Sequence, residues 1–78
     1  MTMDEKHKII LGAFYNARYG IAPTATRGAV EGHAAKHLLR GADYTEALES
    51  AIAAGLVAAM SDASLTIRNA GREFLPRR

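Results

Sequence analysis

His33 and His37 stand four residues apart, a spacing that places two imidazoles on one face of a helix. Such a pair can chelate a metal such as zinc, with Glu31 or His7 as the available third ligand. The residue after His33 is Ala34, so no HExxH is present, and two surface histidines are the simpler reading. Neither a metal nor a cofactor is expected. Cysteine is absent, which removes thiol nucleophiles, disulfides and Cys-based zinc sites. Ser50, Ser61 and Ser64 lack a flanking GxSxG, and Gly28 and Gly32 lack the Lys-Ser/Thr of a phosphate loop. Asp43, Glu46 and Glu49 cluster near a helix start, where the positive end of the helix dipole already explains carboxylates. The inventory predicts a protein that is not an enzyme.

The charges are blocked along the chain. Net charge is +2, but residues 41–63 contain Asp43, Glu46, Glu49 and Asp62 with no Lys or Arg. Lys36 and Arg40 close the basic N-terminal part, and Arg68, Arg72, Arg77 and Arg78 make the C-terminal part basic. An acidic middle between two basic ends is a weaker nucleic-acid signal than one continuous basic stripe.

The elements that must position these groups follow from periodicity. Thr2 with Glu5 three residues on is a capping-box signature. Ile9, Ile10, Ala13, Phe14, Ala17 and Ile21 then recur at helical spacing, which predicts a helix over about residues 3–19, stopped by Gly20 and Pro23. Ala25, Ala29, Val30, Ala34, Leu38 and Leu39 also keep a helical period. Gly28 and Gly32 each cost about 1 kcal/mol against Ala, so this stretch is either one interrupted helix or a loop leading into a helix over about 31–39. Asp43 or Thr45 caps a third helix, with Leu48, Ala51, Ile52 and Leu56 facing inward and Gly55 ending it. Val57 to Met60 and Leu65 to Ile67 are short strands around the turn-prone Ser61-Asp62-Ala63-Ser64. Asn69 to Leu75 forms a last helical turn or two. Phe14 and Phe74 are expected in the core, with Tyr19 at its edge. Tyr44 is open to either packing or partner contact.

Three helices followed by a hairpin carry a resemblance. The run Leu48-Glu49-Ser50-Ala51-Ile52-Ala53-Ala54-Gly55-Leu56-Val57, and then Ile67-Arg68-Asn69-Ala70-Gly71-Arg72-Glu73-Phe74-Leu75, resembles the second half of a winged helix-turn-helix domain of PadR- and MarR-type regulators. The resemblance covers about residues 45–75. It implies an α+β, mostly helical fold of three helices plus a C-terminal two-stranded β-hairpin. It also implies a small DNA-associated module, a transcriptional regulator or accessory protein. The third helix would enter the major groove and the wing would touch the minor groove or backbone. Arg68 stands where those families usually carry Thr, and Arg cannot accept the N–H bonds that a capping Thr would.

On that implication Arg68, Arg72, Lys36, Arg40 and Thr45 are the candidate contacts to double-stranded DNA. The third helix offers Glu46 and Glu49 where phosphates would lie, although DNA affinity comes largely from cations that release counterions. The competing expectation is a protein-interaction winged helix without DNA binding, in which Tyr44, Glu46 and Glu49 meet a basic partner or a second copy of the chain. At 78 residues the whole chain, 1–78, is expected to be a single domain with a thin core. Sixteen of its apolar residues are alanine, which favours closely packed helices. No apolar run approaches the ~20 residues of a membrane span, and a cytoplasmic location is expected.

Overall fold

The computed structural model describes residues 2–16 and 18–75. They form a small α+β domain of four helices and two small antiparallel sheets. Its radius of gyration is 11.2 Å.

Helix α1 (Met3–Gly12) begins as the capping box requires, with the Thr2 hydroxyl accepting from the Glu5 N–H at 3.2 Å. It ends well before residue 19. The last turn tightens, the Ala13 and Phe14 N–H groups donating to the Ile10 and Leu11 carbonyls. Beyond it the Asn16 side-chain oxygen accepts from the N–H groups of Arg18 (2.7 Å) and Tyr19 (3.1 Å), the local turn that Asn favours over helix. Strands β1 (Tyr15–Asn16) and β2 (Gly20–Ile21) pair across that turn. Tyr19 consequently sits at a hairpin tip, 79% exposed, with the Arg18 guanidinium 5.6 Å from its ring centre.

Strand β3 (Thr24–Thr26) is an element that periodicity did not reveal. It pairs antiparallel with β5 (Ser64–Ile67), Ala25 opposite Leu65, and β5 pairs in turn with β4 (Val57–Ala59). The sheet order is therefore β3–β5–β4. Helix α2 (Arg27–Lys36) grows directly from β3, because the Thr26 hydroxyl accepts from the Ala29 N–H at 3.1 Å. It runs through Gly28 and Gly32 without a break and stops before 39. Leu38 there adopts a φ of +67°, so Leu39 turns into the core while Leu38 is left 76% exposed.

Helix α3 (Ala42–Ala53) has Gly41 at its N-cap and no side-chain capping bond, so neither Asp43 nor Thr45 caps it. The Thr45 hydroxyl instead donates to the Gly41 carbonyl at 3.3 Å. The β4–β5 turn is held by Asp62, whose carboxylate accepts from the Ser64 N–H and hydroxyl at 3.2 and 2.6 Å. A short helix, α4 (Asn69–Arg72), follows.

The core joins all these layers. Ile10, Leu11 and Phe14 of the first helix region meet Val30, Ala34 and Leu39, then Ala47, Leu48 and Ala51 of α3, and Leu56, Val57, Leu65 and Ile67 around the sheet. Ala34, Ala47 and Ala51 are wholly buried, and their small side chains let the helix backbones come close. Phe14 is buried as expected, and Phe74 packs half-buried against the same cluster. Among the described residues no helix is long and apolar enough to cross a membrane.

Candidate docking groove and the charged residues around it

Helix α3 presents the most distinctive surface. Between it and α2 runs a groove of ≈ 420 Å³. Arg27, Gly28 and Glu31 of α2 form one side, and Tyr44, Thr45 and Glu49 of α3 form the other. Leu48 and Ile52 supply its apolar surface. Ile52, expected to face inward, lines this groove half-buried.

Tyr44 is 6% exposed and belongs to the core. Of the two roles left open for it, packing is the one its ring takes. The reason is legible in the helix: Tyr44, Ala47, Leu48 and Ala51 follow the i, i+3, i+4, i+7 pattern of one buried stripe. The phenol edge still reaches the groove. Burial raises the Tyr44 pKa above its ordinary value, the Glu31 carboxylate raises it further, and Arg27 opposes both.

Glu49 is exposed in the groove, and Glu46 is exposed beside it toward α1. Glu46 lies 3.9 Å from the Lys6 ammonium. At that separation and exposure the pair contributes little. The tip of the β4–β5 hairpin carries Asp62 rather than a cation, and Ser64 holds the Asp62 carboxyl below the usual carboxylate range.

The five residues considered for DNA contact are all exposed, but they do not form one patch. Lys36 ends α2, and Arg40 and Thr45 flank the N-terminal end of α3. Arg68 follows β5, and its N–H donates to the Leu56 carbonyl beyond the C-terminal end of α3 at 2.9 Å. Arg72 closes α4 on that same end. The 12 residues of α3 separate the two groups by about 18 Å at 1.5 Å per residue. Arg68 occupies the N-cap of α4 and makes no side-chain capping bond. Arg77 and Arg78 lie outside the described residues.

His33 and His37 do meet, with ring centres 4.8 Å apart. His33 leans on Gly12 of α1, and its pKa is lowered by burial and by the neighbouring His37 and Lys36 charges. No group of three potential metal ligands occurs among the described residues. His7 is not beside them. It is buried on α1, where its Nε2 is 3.0 Å from the Ser50 hydroxyl of α3. Its position in the stripe His7, Ile10, Leu11, Phe14 was the available sign of that burial.

No protein-family model matches this chain, and no curated protein and no solved structure is found to be similar to it.

Proposed function

We propose that this chain is a regulatory binding module of the winged helix-turn-helix kind, not an enzyme, and that its third helix docks a basic protein partner rather than duplex DNA. The winged-helix assignment is supported by the order strand β3, helices α2 and α3, hairpin β4–β5, with β3 pairing to β5; the β1–β2 hairpin after α1 and the short α4 are additions to that order. The docking reading is carried by one observation. From residue 41 to residue 67 the chain has no Lys or Arg, so α3 and the hairpin tip present Asp43, Glu46, Glu49 and Asp62 to whatever approaches. Duplex DNA binds through cations that displace its counterions, whereas a basic protein surface is attracted by this charge.

A DNA-binding reading draws on a different observation, the exposed Lys36 at the end of α2 and Arg40 and Thr45 at the start of α3, with exposed Arg68 and Arg72 beyond its other end. An amide chemical-shift titration separates the two. A mixed-sequence duplex at low salt, where electrostatic binding is strongest, is expected to leave α3 unmoved. A synthetic amphipathic peptide of leucine and arginine is expected to shift Asp43, Glu46 and Glu49. Duplex-induced shifts on α3, Arg68 and Arg72 that fade as salt rises would overturn the protein reading in favour of DNA.

A further inference from the structure

We propose that the α2–α3 groove is a receptor for one basic side chain, an arginine or lysine presented by a protein partner. This rests on the protein-docking reading of α3 and names what that helix would recognise.

The first support is Tyr44. It is 6% exposed, lines the groove, and its hydroxyl takes part in none of the side-chain hydrogen bonds among the described residues. A buried tyrosine ordinarily finds a partner for its O–H. No enclosed side-chain polar atom is left unpaired, so this oxygen is open to the groove. A tyrosine held by its ring with its hydroxyl unengaged is a preset acceptor for an incoming N–H.

The second support is charge. Glu31 approaches from α2 and Glu49 from α3. Neither carboxylate has a cation within 4.0 Å among the described residues, where the Lys6–Glu46 contact is the sole ion pair. Arg27 lies one turn before Glu31 without closing on it. Two carboxylates on facing walls suit a guanidinium or ammonium, which donates several hydrogen bonds at once.

The third support is shape. Leu48 and Ile52 offer apolar surface for the methylene stem of a long basic side chain, whose charged end stays at the polar rim. A Cβ at Gly28 would meet nothing within 4 Å, so the α2 wall is open where the stem would enter. The volume, ≈ 420 Å³, lies within the roughly 300–1,000 Å³ of small-ligand clefts.

The test uses N-acetyl-argininamide as probe and its neutral isostere N-acetyl-citrullinamide as control, followed by amide shifts of the full chain. Saturable shifts at Glu31, Tyr44, Leu48 and Glu49 are expected with the cation alone. Tyr44→Phe, which keeps the packed ring, should weaken the probe roughly fivefold by removing one hydrogen bond. Glu49→Gln should weaken it by roughly tenfold by removing a charged one. Equal response to the neutral isostere, equal shifts at the remote Asp4, Glu5, Asp62 and Glu73, or unchanged binding in both variants would each overturn the proposal. A silent groove with the leucine–arginine peptide still shifting Asp43 and Glu46 would sink the receptor while the α3 reading stood. Duplex DNA on α3 would sink both.

Discussion

Helices α2 and α3 close on the same backbone pattern with opposite residues. At the end of α3 the Leu56 N–H donates to the Ala51 carbonyl and the Gly55 N–H to the Ile52 carbonyl. At the end of α2 the Leu39 N–H donates to Ala34 and the Leu38 N–H to Ala35. Both are Schellman closures, which need one residue in the left-handed region. Gly55 takes it at φ +76° with no side-chain penalty, whereas Leu38 takes it at φ +67° at a cost of roughly 1–2 kcal/mol. Leu38 recovers little of this by burial, being exposed.

The contrast extends along the two regions. Gly28 and Gly32 of α2 have open space where a Cβ would stand, so their cost as helix residues is not offset by packing. Gly71 of α4 is the reverse. A Cβ there would collide with the Leu56 carbonyl, and would lie 2.9 Å from Leu11 Cδ2 and 3.1 Å from Ile67 Cγ1. The α3–α4 junction is built to close tolerance, and α2 with its turn is not. One wall of the groove is therefore anchored, and the other sits on the less stable element, where local opening is easier.

Substitutions can break that comparison. Gly71→Ala should have the largest effect, a loss of about 2–3 kcal/mol from overpacking against backbone that cannot yield, read as a fall in the urea midpoint. A change within error would mean that α4 shifts freely and the junction is not tight. Gly55→Ala should lose about 1–2 kcal/mol by forcing a side chain into the left-handed turn. Leu38→Gly should move the other way, gaining about 0.5–1 kcal/mol after the entropy of glycine offsets part of the relieved strain. A destabilised Leu38→Gly in thermal melts would show that Leu38 has a packing role its exposure conceals. Gly32→Ala should gain up to about 1 kcal/mol, and no gain would place a hidden constraint on α2.

The smallest effect is on pH. His33 has a folded-state pKa below its ordinary 6.5, so the unfolded chain binds the proton more readily. The contribution is present above pH 6.5 and is lost as pH falls through the lower folded value. His33→Gln should flatten the stability profile in that window, and an unchanged slope would assign the dependence to other groups.

Much of the local architecture was legible in residue order. Thr2 with Glu5 marks the start of α1, Gly55 the end of α3, and Ser61 to Ser64 the turn between two strands, because each depends on contacts within four residues. The acidic character of α3 was legible too, since nothing basic lies between Gly41 and Ile67. The misses have a common form. Ala17 and Ile21 keep a helical period that extends past the true end of α1, while Asn16 holds a turn with its side chain. Strand β3 was missed because Thr24-Ala25-Thr26 is too short to announce itself and is held by β5, some 40 positions away.

Residue order was enough for the charge blocks, the Gly55 stop of α3, the β4–β5 turn, and the residue types available for binding. Those follow from side-chain chemistry and short-range backbone preference. The meeting of distant surfaces placed the Tyr44 hydroxyl at the groove, set Glu31 and Glu49 along that same groove, and put Arg40 and Arg68 at opposite ends of α3. It also set Gly71 against the Leu56 carbonyl and Leu11, where Gly28 and Gly32 face open space. Each of these depends on which surfaces meet when α2, α3, α4 and the sheet bury a common core, and the spacing of residues along the chain does not contain that distance.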